Sequence, residues 1–250
     1  MDYRYLRMKK NKRPSFQDLI LFEDDDLIVL NKPSGISSLA DRDGDKSSIH
    51  EMAKSYWPDA ILCHRLDKFT SGVMLVAKSE AVYRYITLKF QKREVHKTYL
   101  TLVEGRQDFH NKLVDFRIYN SGNGKVRLDN ALGKPATTYF STKEQFRHYT
   151  LLECQPITGR MHQIRLHLLS IGLPVVGDQL YLGRDILLSN IKRNYKPPMD
   201  QDERPVNHGF LLHAHAIEFV MPGKEVLSRF EAPLNPGFEV VLKLLRKWDV

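Results

Sequence analysis

The feature that most limits what this chain can fold into is the apolar run Gly-Val-Met-Leu-Val-Ala-Lys-Ser, Gly72 to Ser79. It is entered directly from a charged turn, His-Arg-Leu-Asp-Lys-Phe-Thr-Ser-Gly, His64 to Gly72. A short apolar run bounded by turn residues reads as a buried strand. The turn ahead of it sets a carboxylate, Asp67, between Arg65 and Lys68, and a small-residue turn, Thr70-Ser71-Gly72, follows. A charged turn opening onto such a strand reads as a site held on rigid scaffold. The alternative is a surface turn with an ordinary ion pair, which contributes little.

A chain of 250 residues permits one large domain or two small ones. Its 38 Lys and Arg against 30 Asp and Glu give a net charge of +8. That excess favours a polyanionic partner, either nucleic acid or an anionic membrane surface. The N-terminus has no apolar stretch typical of a secretory signal, and no run is long enough to span a bilayer. Nucleic acid therefore gains over a membrane. Cys63 and Cys154 lie far apart and read as buried small apolar residues rather than a disulfide or metal site. Such usage suggests a reducing compartment, and the expected location is the cytoplasm.

Residues Met1 to Pro14 read as a basic tail able to gather phosphates, or as a plain solvated terminus. Residues 15–250 are the expected folded domain. Two short strands flank the acidic turn Asp24 to Asp26 and end at Pro33 to Gly35. Asp41 to Ser48 reads as a loop, with Ser48 placed to cap a helix from Ile49 to Tyr56. Glu80 to Arg93 reads as a helix, and His96 to Gly105 as a strand. Lys112 to Leu132 is looser, with a hairpin turn at Ser121 to Gly124. Ala136 to Phe140 and Tyr149 to Gln155 read as strands. After Pro156 a helix is expected with Thr158 as N-cap, an apolar stripe of Ile164, Leu168 and Ile171, and Gly172 at its end. Gly183 to Gly209 reads as a long insertion loop, Phe210 to Pro222 as a strand, and Phe238 to Trp248 as an amphipathic helix. Strands scattered among helices without regular alternation predict an α+β class.

Polar residues concentrate beside rigid elements at Asp67, at Lys97-Thr98-Tyr99, and from Arg160 to His167. His162 and Arg165 are three apart and can share a helix face, with Arg160 expected in the first turn, where free N–H groups favour an anion. The alternative there is a basic solvent face. His213 and His215 lie two apart on a strand; with His64 or His162 they could be imagined as a zinc site. No third ligand stands at a supporting spacing, so packing or hydrogen bonding is the preferred reading. Ser71 lacks the Gly-x-Ser-x-Gly surround of a hydrolase nucleophile.

Three motifs occur in order: HRLDKFTSG, KTYLTLVEG and TGRMHQIRLHLLSIGLPVVGDQLY, the last from Thr158 to Tyr181. Together they closely resemble the RluA-type family of pseudouridine synthases. ILFEDDDLIVLNKPSGI and LLHAHAIEF are similar to that family's first and last signatures. Phe69 departs from the acidic, polar or proline residue usual there, and Met161 from a common Thr. The S4-type RNA-binding domain that many relatives carry is not expected here, because the tail is too short for one.

The resemblance implies a pseudouridine synthase fold: a mixed, mainly antiparallel sheet with flanking helices and a central basic cleft. It implies isomerisation of specific uridines in structured ribosomal or transfer RNA, with the target base flipped out of its stack. Asp67 would be the nucleophile, Arg165 its guanidinium partner, and Tyr99 the ring that stacks on uracil. Arg65 would fill or clamp the vacated space, and Lys68, Lys97, Arg160 and His162 would complete the RNA contacts. The reaction is redox-neutral, so no cofactor and no metal are implied. A monomer is expected. The rival reading is a non-catalytic RNA-binding or ribosome-assembly protein on the same scaffold, which would need no buried nucleophile.

Overall fold

A computed structural model describes residues 14–40, 48–122, 124–197 and 202–250. The basic tail up to residue 13, the loop 41–47 and part of the insertion loop, 198–201, lie outside the described residues. The chain begins with a hairpin, β1 (Ile20–Glu23) and β2 (Leu27–Lys32). Its acidic turn is organised by Asp24, whose carboxylate accepts from the N–H groups of Asp26 and Leu27 at 3.0 and 2.8 Å. Helix α1 (Ile49–Tyr56) is capped by the Ser48 hydroxyl, which accepts from Glu51 N–H. There follow β3 (Ile61–Leu62), β4 (Ser71–Ala77), α2 (Glu80–Gln91) and β5 (His96–Glu104). The middle of the chain supplies β6 (Lys112–Asp115), the hairpin β7 (Ile118–Asn120) and β8 (Val126–Leu128), then β9 (Thr137–Gln145) and β10 (Tyr149–Pro156). Helices α3 (Gln163–Ser170) and α4 (Leu188–Ile191), strands β11 (Leu212–Val220) and β12 (Leu227–Glu231), and α5 (Pro236–Trp248) complete it.

One ten-stranded sheet runs in the order β1-β2-β4-β11-β5-β10-β9-β6, with β3 beside β4 and β12 beside β11. Its pairs are antiparallel except β4 with β11, so the expected mixed, mainly antiparallel α+β architecture is present. The apolar run is apolar throughout because helices cover both of its faces. Met74 and Val76 pack with Ile49 and Ala53 of α1. Val73, Leu75 and Ala77 pack with Val82 and Ile86 of α2 on the other side. Farther along the sheet, α5 covers Leu100, Leu102 and Leu151 with Phe238, Val241, Leu242 and Leu245. Across from it, α3 covers Val103, Leu152 and Leu212 with Ile164 and Leu168.

The parallel contact of β4 with β11 explains the glycine of the opening turn. Gly72 has φ +109°, and a Cβ there would lie 2.1 Å from the Ala214 carbonyl oxygen. Register then places the site. Ala214 is opposite Gly72 on one side and Tyr99 on the other, and Tyr99 is in turn opposite Cys154. Three sequence-distant strands thus bring Tyr99 beside the mouth of the Asp67 turn.

Candidate active site

The turn that carries Asp67 is pinned from both sides. Ser38 donates to the Leu66 carbonyl at 2.7 Å and accepts from Leu66 N–H at 3.0 Å. The Lys68 carbonyl accepts from Gly35 N–H and from the Lys32 ammonium, at 2.9 and 3.0 Å. Thr70 N–H closes the turn onto the Asp67 carbonyl at 3.1 Å. His64 accepts from Leu75 N–H through Nε2, and burial pushes its pKa down to about 4, so it is a neutral bracket rather than a charge. Lys32 is fully buried; burial lowers its pKa to about 7 against the opposing pull of Asp67.

The start of α3 differs from expectation. Thr158 is not its N-cap and Arg160 is not in its first turn: the helix begins at Gln163, and His162 is its N-cap, in the left-handed conformation with φ 56°. The Gln163 side chain causes this by holding an irregular loop in place. Its Oε1 accepts from the Thr158 hydroxyl at 2.7 Å and from Arg160 N–H at 2.9 Å, while its amide donates to Thr137 and Thr138 at 3.0 Å. The apolar stripe and the terminal Gly172, φ +75°, are as expected. Arg160 is exposed and donates to the Pro135 carbonyl.

Arg165 is 4% exposed and triply engaged. Its Nε and Nη2 donate to both oxygens of Asp178 at 2.6 and 2.8 Å, a bidentate clamp, and its Nη1 donates to Asp67 Oδ2 at 2.9 Å. The rings of Tyr181 and Phe210 lie 4.8 and 4.3 Å from its guanidinium carbon. Burial opposes the charge, but the two carboxylates outweigh it and raise the pKa. His162 reaches the same oxygen of Asp67 with Nε2 at 3.7 Å, and its Nδ1 is 2.7 Å from the Tyr181 hydroxyl. Burial lowers its pKa, with Asp67 pulling the other way. Both neighbours approach Oδ2, and among the described residues no hydrogen bond is made to Oδ1. One carboxylate oxygen is fixed, and the Asp67 side chain lines an open space.

That space is a cavity of about 320 Å³ lined by Asp67, Tyr99, Lys97, Arg65, Arg160 and His162, with Asn120 and Met161 at its edge. Tyr99 is half-buried; burial, then Asp67, raises its phenol pKa, so the hydroxyl keeps its proton at ordinary pH. Lys97 donates to the Thr158 carbonyl at 3.1 Å, and burial lowers its pKa to about 8. Arg65 is exposed at the rim. Lys68 is exposed on the far side of Asp67 and lines a second, neighbouring cavity instead. The structure therefore gathers seven of the eight anticipated residues around one opening. Among the described residues no cluster of His, Cys, Asp and Glu could hold a metal ion. His213 is instead bonded to Ser71 and to the Ala232 carbonyl.

Residues 26–170 match the family model described as RNA pseudouridylate synthase. The chain belongs to that family. The ribosomal large subunit pseudouridine synthase C of Yersinia pestis is 36% identical over 246 residues, covering 96% of this chain and 72% of that protein. The protein of the same name from Escherichia coli K12 is also 36% identical, covering 94% and 72%. A solved structure, human RNA pseudouridylate synthase domain containing 4, superposes with a TM-score of 0.68 at 25% identity, covering 92% of this chain and 95% of that one. In this pseudouridylate synthase family member, the residues that sequence reasoning missed are Asp178, Tyr181, Phe210 and Lys32. The adjacency of Gly-Asp-Gln-Leu-Tyr to the Arg165 helix was the available signal for the first two. Among the described residues no helix is long and apolar enough to cross a membrane.

Proposed function

We propose that this chain converts specific uridines in structured ribosomal or transfer RNA to pseudouridine, with Asp67 as the essential carboxylate. The observation that carries the reading is the asymmetry of that carboxylate. Arg165 holds Oδ2 at 2.9 Å, Oδ1 takes no hydrogen bond among the described residues, and Asp67 lines a cavity with Tyr99 and Lys97. In the reaction the bond from N1 to C1′ breaks, the uracil turns, and C5 bonds to C1′; C5 loses a proton and N1 gains one. No electrons leave the system. Asp67 assists departure of the base from the sugar, and a positioned guanidinium opposite it offsets the charge. Tyr99 stacks on the detached uracil and, as a protonated phenol, donates a hydrogen bond to it.

A stacked uridine cannot reach such a cavity, so it is flipped out, and Arg65 at the rim takes its place. The cleft is basic: Arg65, Lys97, Arg160, His162 and Lys68 contact the RNA around the site. Residues 15–250 act as one catalytic domain, a cytoplasmic monomer, and the basic tail adds phosphate contacts by charge alone. The human and bacterial relatives bearing pseudouridine synthase names support this reading.

Asp67→Asn tests it, because the change removes charge with little volume. Conversion of uridine is expected to fall by at least about a thousandfold, as when a covalent nucleophile is deleted, with RNA affinity kept within about threefold. Turnover near the unmodified rate would sink the assignment, and a chain that binds RNA but never converts uridine would be the binding protein. Mapping pseudouridines in ribosomal and transfer RNA from cells with and without the gene identifies the target.

A further inference from the structure

The second cavity, about 770 Å³, lies on the other side of Asp67 and shares a wall with the first through Arg65, Leu66, Asp67, His162 and Arg165. Phe69 projects into it. The residue is 40% exposed, unusual for a phenylalanine two residues from a site carboxylate. The ring is not loosely held. Ser34 donates to the Phe69 carbonyl at 2.9 Å. Gly209, at φ +74°, lies against the ring so closely that a Cβ there would stand 2.5 Å from its Cδ1. Phe210 meets it edge-on with centroids 6.0 Å apart, and Phe210 itself packs under the Arg165 guanidinium at 4.3 Å. The ring is backed by Gly209 and Phe210, and the residue keeps 40% of its surface exposed. The polar groups behind it satisfy each other: Gln179 and Asn207 both donate to Asp185.

We infer that Phe69 is a stacking platform for a nucleobase flanking the target uridine, so that the second cavity holds a neighbour while the first holds the flipped base. The inference rests on the proposed activity. Extruding one base strips its neighbour of a stacking partner and leaves that neighbour's face in water. A rigid, half-bare aromatic ring recovers the loss, because nucleobases stack on aromatic side chains whatever their identity. Asp67 and Phe69 are separated by at most about 7 Å of backbone, so neighbouring nucleotides of one strand reach both cavities. Arg65, on the shared wall, stands between the two cavities.

The test uses the full chain and RNA stem-loops copied from a site it converts, each with one abasic nucleotide within two positions of the uridine. With the unaltered chain, one abasic position is expected to raise KM about tenfold, the scale of one lost base–aromatic stack. Phe69→Ala should raise KM about tenfold on intact RNA and be indifferent to that abasic position, with kcat within about threefold. Phe69→Tyr, which keeps the ring, should restore both KM and abasic sensitivity and controls for a folding defect. If Phe69→Ala leaves KM unchanged, or remains as sensitive to the abasic position as the unaltered chain, the platform is wrong. Anisotropy measurements on the same RNAs repeat the cycle as Kd. Should the chain isomerise nothing, the activity proposal fails, while the Kd cycle still decides the platform.

Discussion

Asp67 and Ser71 lie four residues apart in one turn, and each is the hub of a buried polar network that ties together distant parts of the chain. The Asp67 network is charged and open. It holds two carboxylates and a guanidinium, and among the described residues it leaves one oxygen of the cavity-lining Asp67 without a hydrogen bond. The Ser71 network is neutral and closed. Asn235 donates to the Ser71 hydroxyl at 2.8 Å, that hydroxyl is 2.9 Å from His213 Nδ1, and His213 Nε2 is 3.2 Å from the Ala232 carbonyl. Ser71 and His213 are both wholly buried. Among the described residues the charged network fails to satisfy itself at one oxygen, and the residue that carries it lines the cavity. The neutral network is satisfied throughout and fastens β4, β11 and the α5 cap into the frame that holds Asp67 still. The difference separates machinery from scaffold within a single stretch of sequence.

Removing the clamp behind Arg165 should give the largest effect that sharpens this contrast. Asp178→Ala leaves a 4% exposed guanidinium with only Asp67. Breaking one side of a buried ion pair costs about 3–5 kcal/mol, so a substantial drop in the denaturation midpoint is expected. Isomerisation should fall by about a hundredfold even where the protein remains folded, since the guanidinium swings and Asp67 Oδ2 loses its aim. Asp178→Glu, which keeps the charge, should recover part of the rate but not the full midpoint. A variant that melts early yet turns over normally per folded molecule would place Asp178 in the scaffold instead.

Acid should act on the neutral network. Burial holds His213 at a pKa of about 4, whereas an unfolded histidine titrates near 6.5. Between those values the unfolded chain binds a proton that the folded chain refuses, so stability is present above about pH 6.5 and is lost as pH falls toward 4. The full loss from this residue is about 3 kcal/mol. Arg165 keeps its proton across the window, while His64, which burial also holds at about 4, loses stability in it as well and is common to both chains compared. Denaturation midpoints of the unaltered chain and of His213→Gln, compared at pH 7 and pH 5, isolate the contribution. Equal slopes would show that His213 accepts its proton without opening the frame.

How much of this was readable in advance follows from distance along the chain. Asp67, Tyr99 and Arg165 stand inside contiguous motifs, and the strand and helix that display them follow from local apolar pattern. Asp178 was missed because its partner lies thirteen residues away across a helix end, and nothing local marks a carboxylate as a clamp. Lys32 was missed because its ammonium serves a carbonyl thirty-six residues on. The Thr158 cap was wrong because a glutamine side chain, not the backbone pattern, decides where α3 begins. The strand order, which seats β11 between β4 and β5, rests on pairings across more than a hundred residues. Ser71 and Gly72 read as a small-residue turn; Ser71 bonds two distant side chains, and Gly72 stands where a Cβ would lie 2.1 Å from the Ala214 carbonyl oxygen.

Ser71 itself offers the smallest and most discriminating change. Ser71→Ala removes one hydroxyl at a position four residues from Asp67 and strands two groups, the Asn235 amide and His213 Nδ1, in a buried place. Leaving buried polar groups unpaired costs about 1–3 kcal/mol, and the methyl side chain creates little new space. Chemical denaturation should therefore show a lowered midpoint with an unchanged slope. Conversion of uridine per folded molecule should stay within about threefold, because neither Asp67 nor Arg165 bonds to this hydroxyl. The reason is directional: the Ser71 network pulls β4 toward β11 and α5, whereas Asp67 is aimed from α3 and from the segment 33–38. A hundredfold loss of activity with little loss of stability would mean that the two ends of the turn are one machine, and that the frame holding Asp67 begins at Ser71.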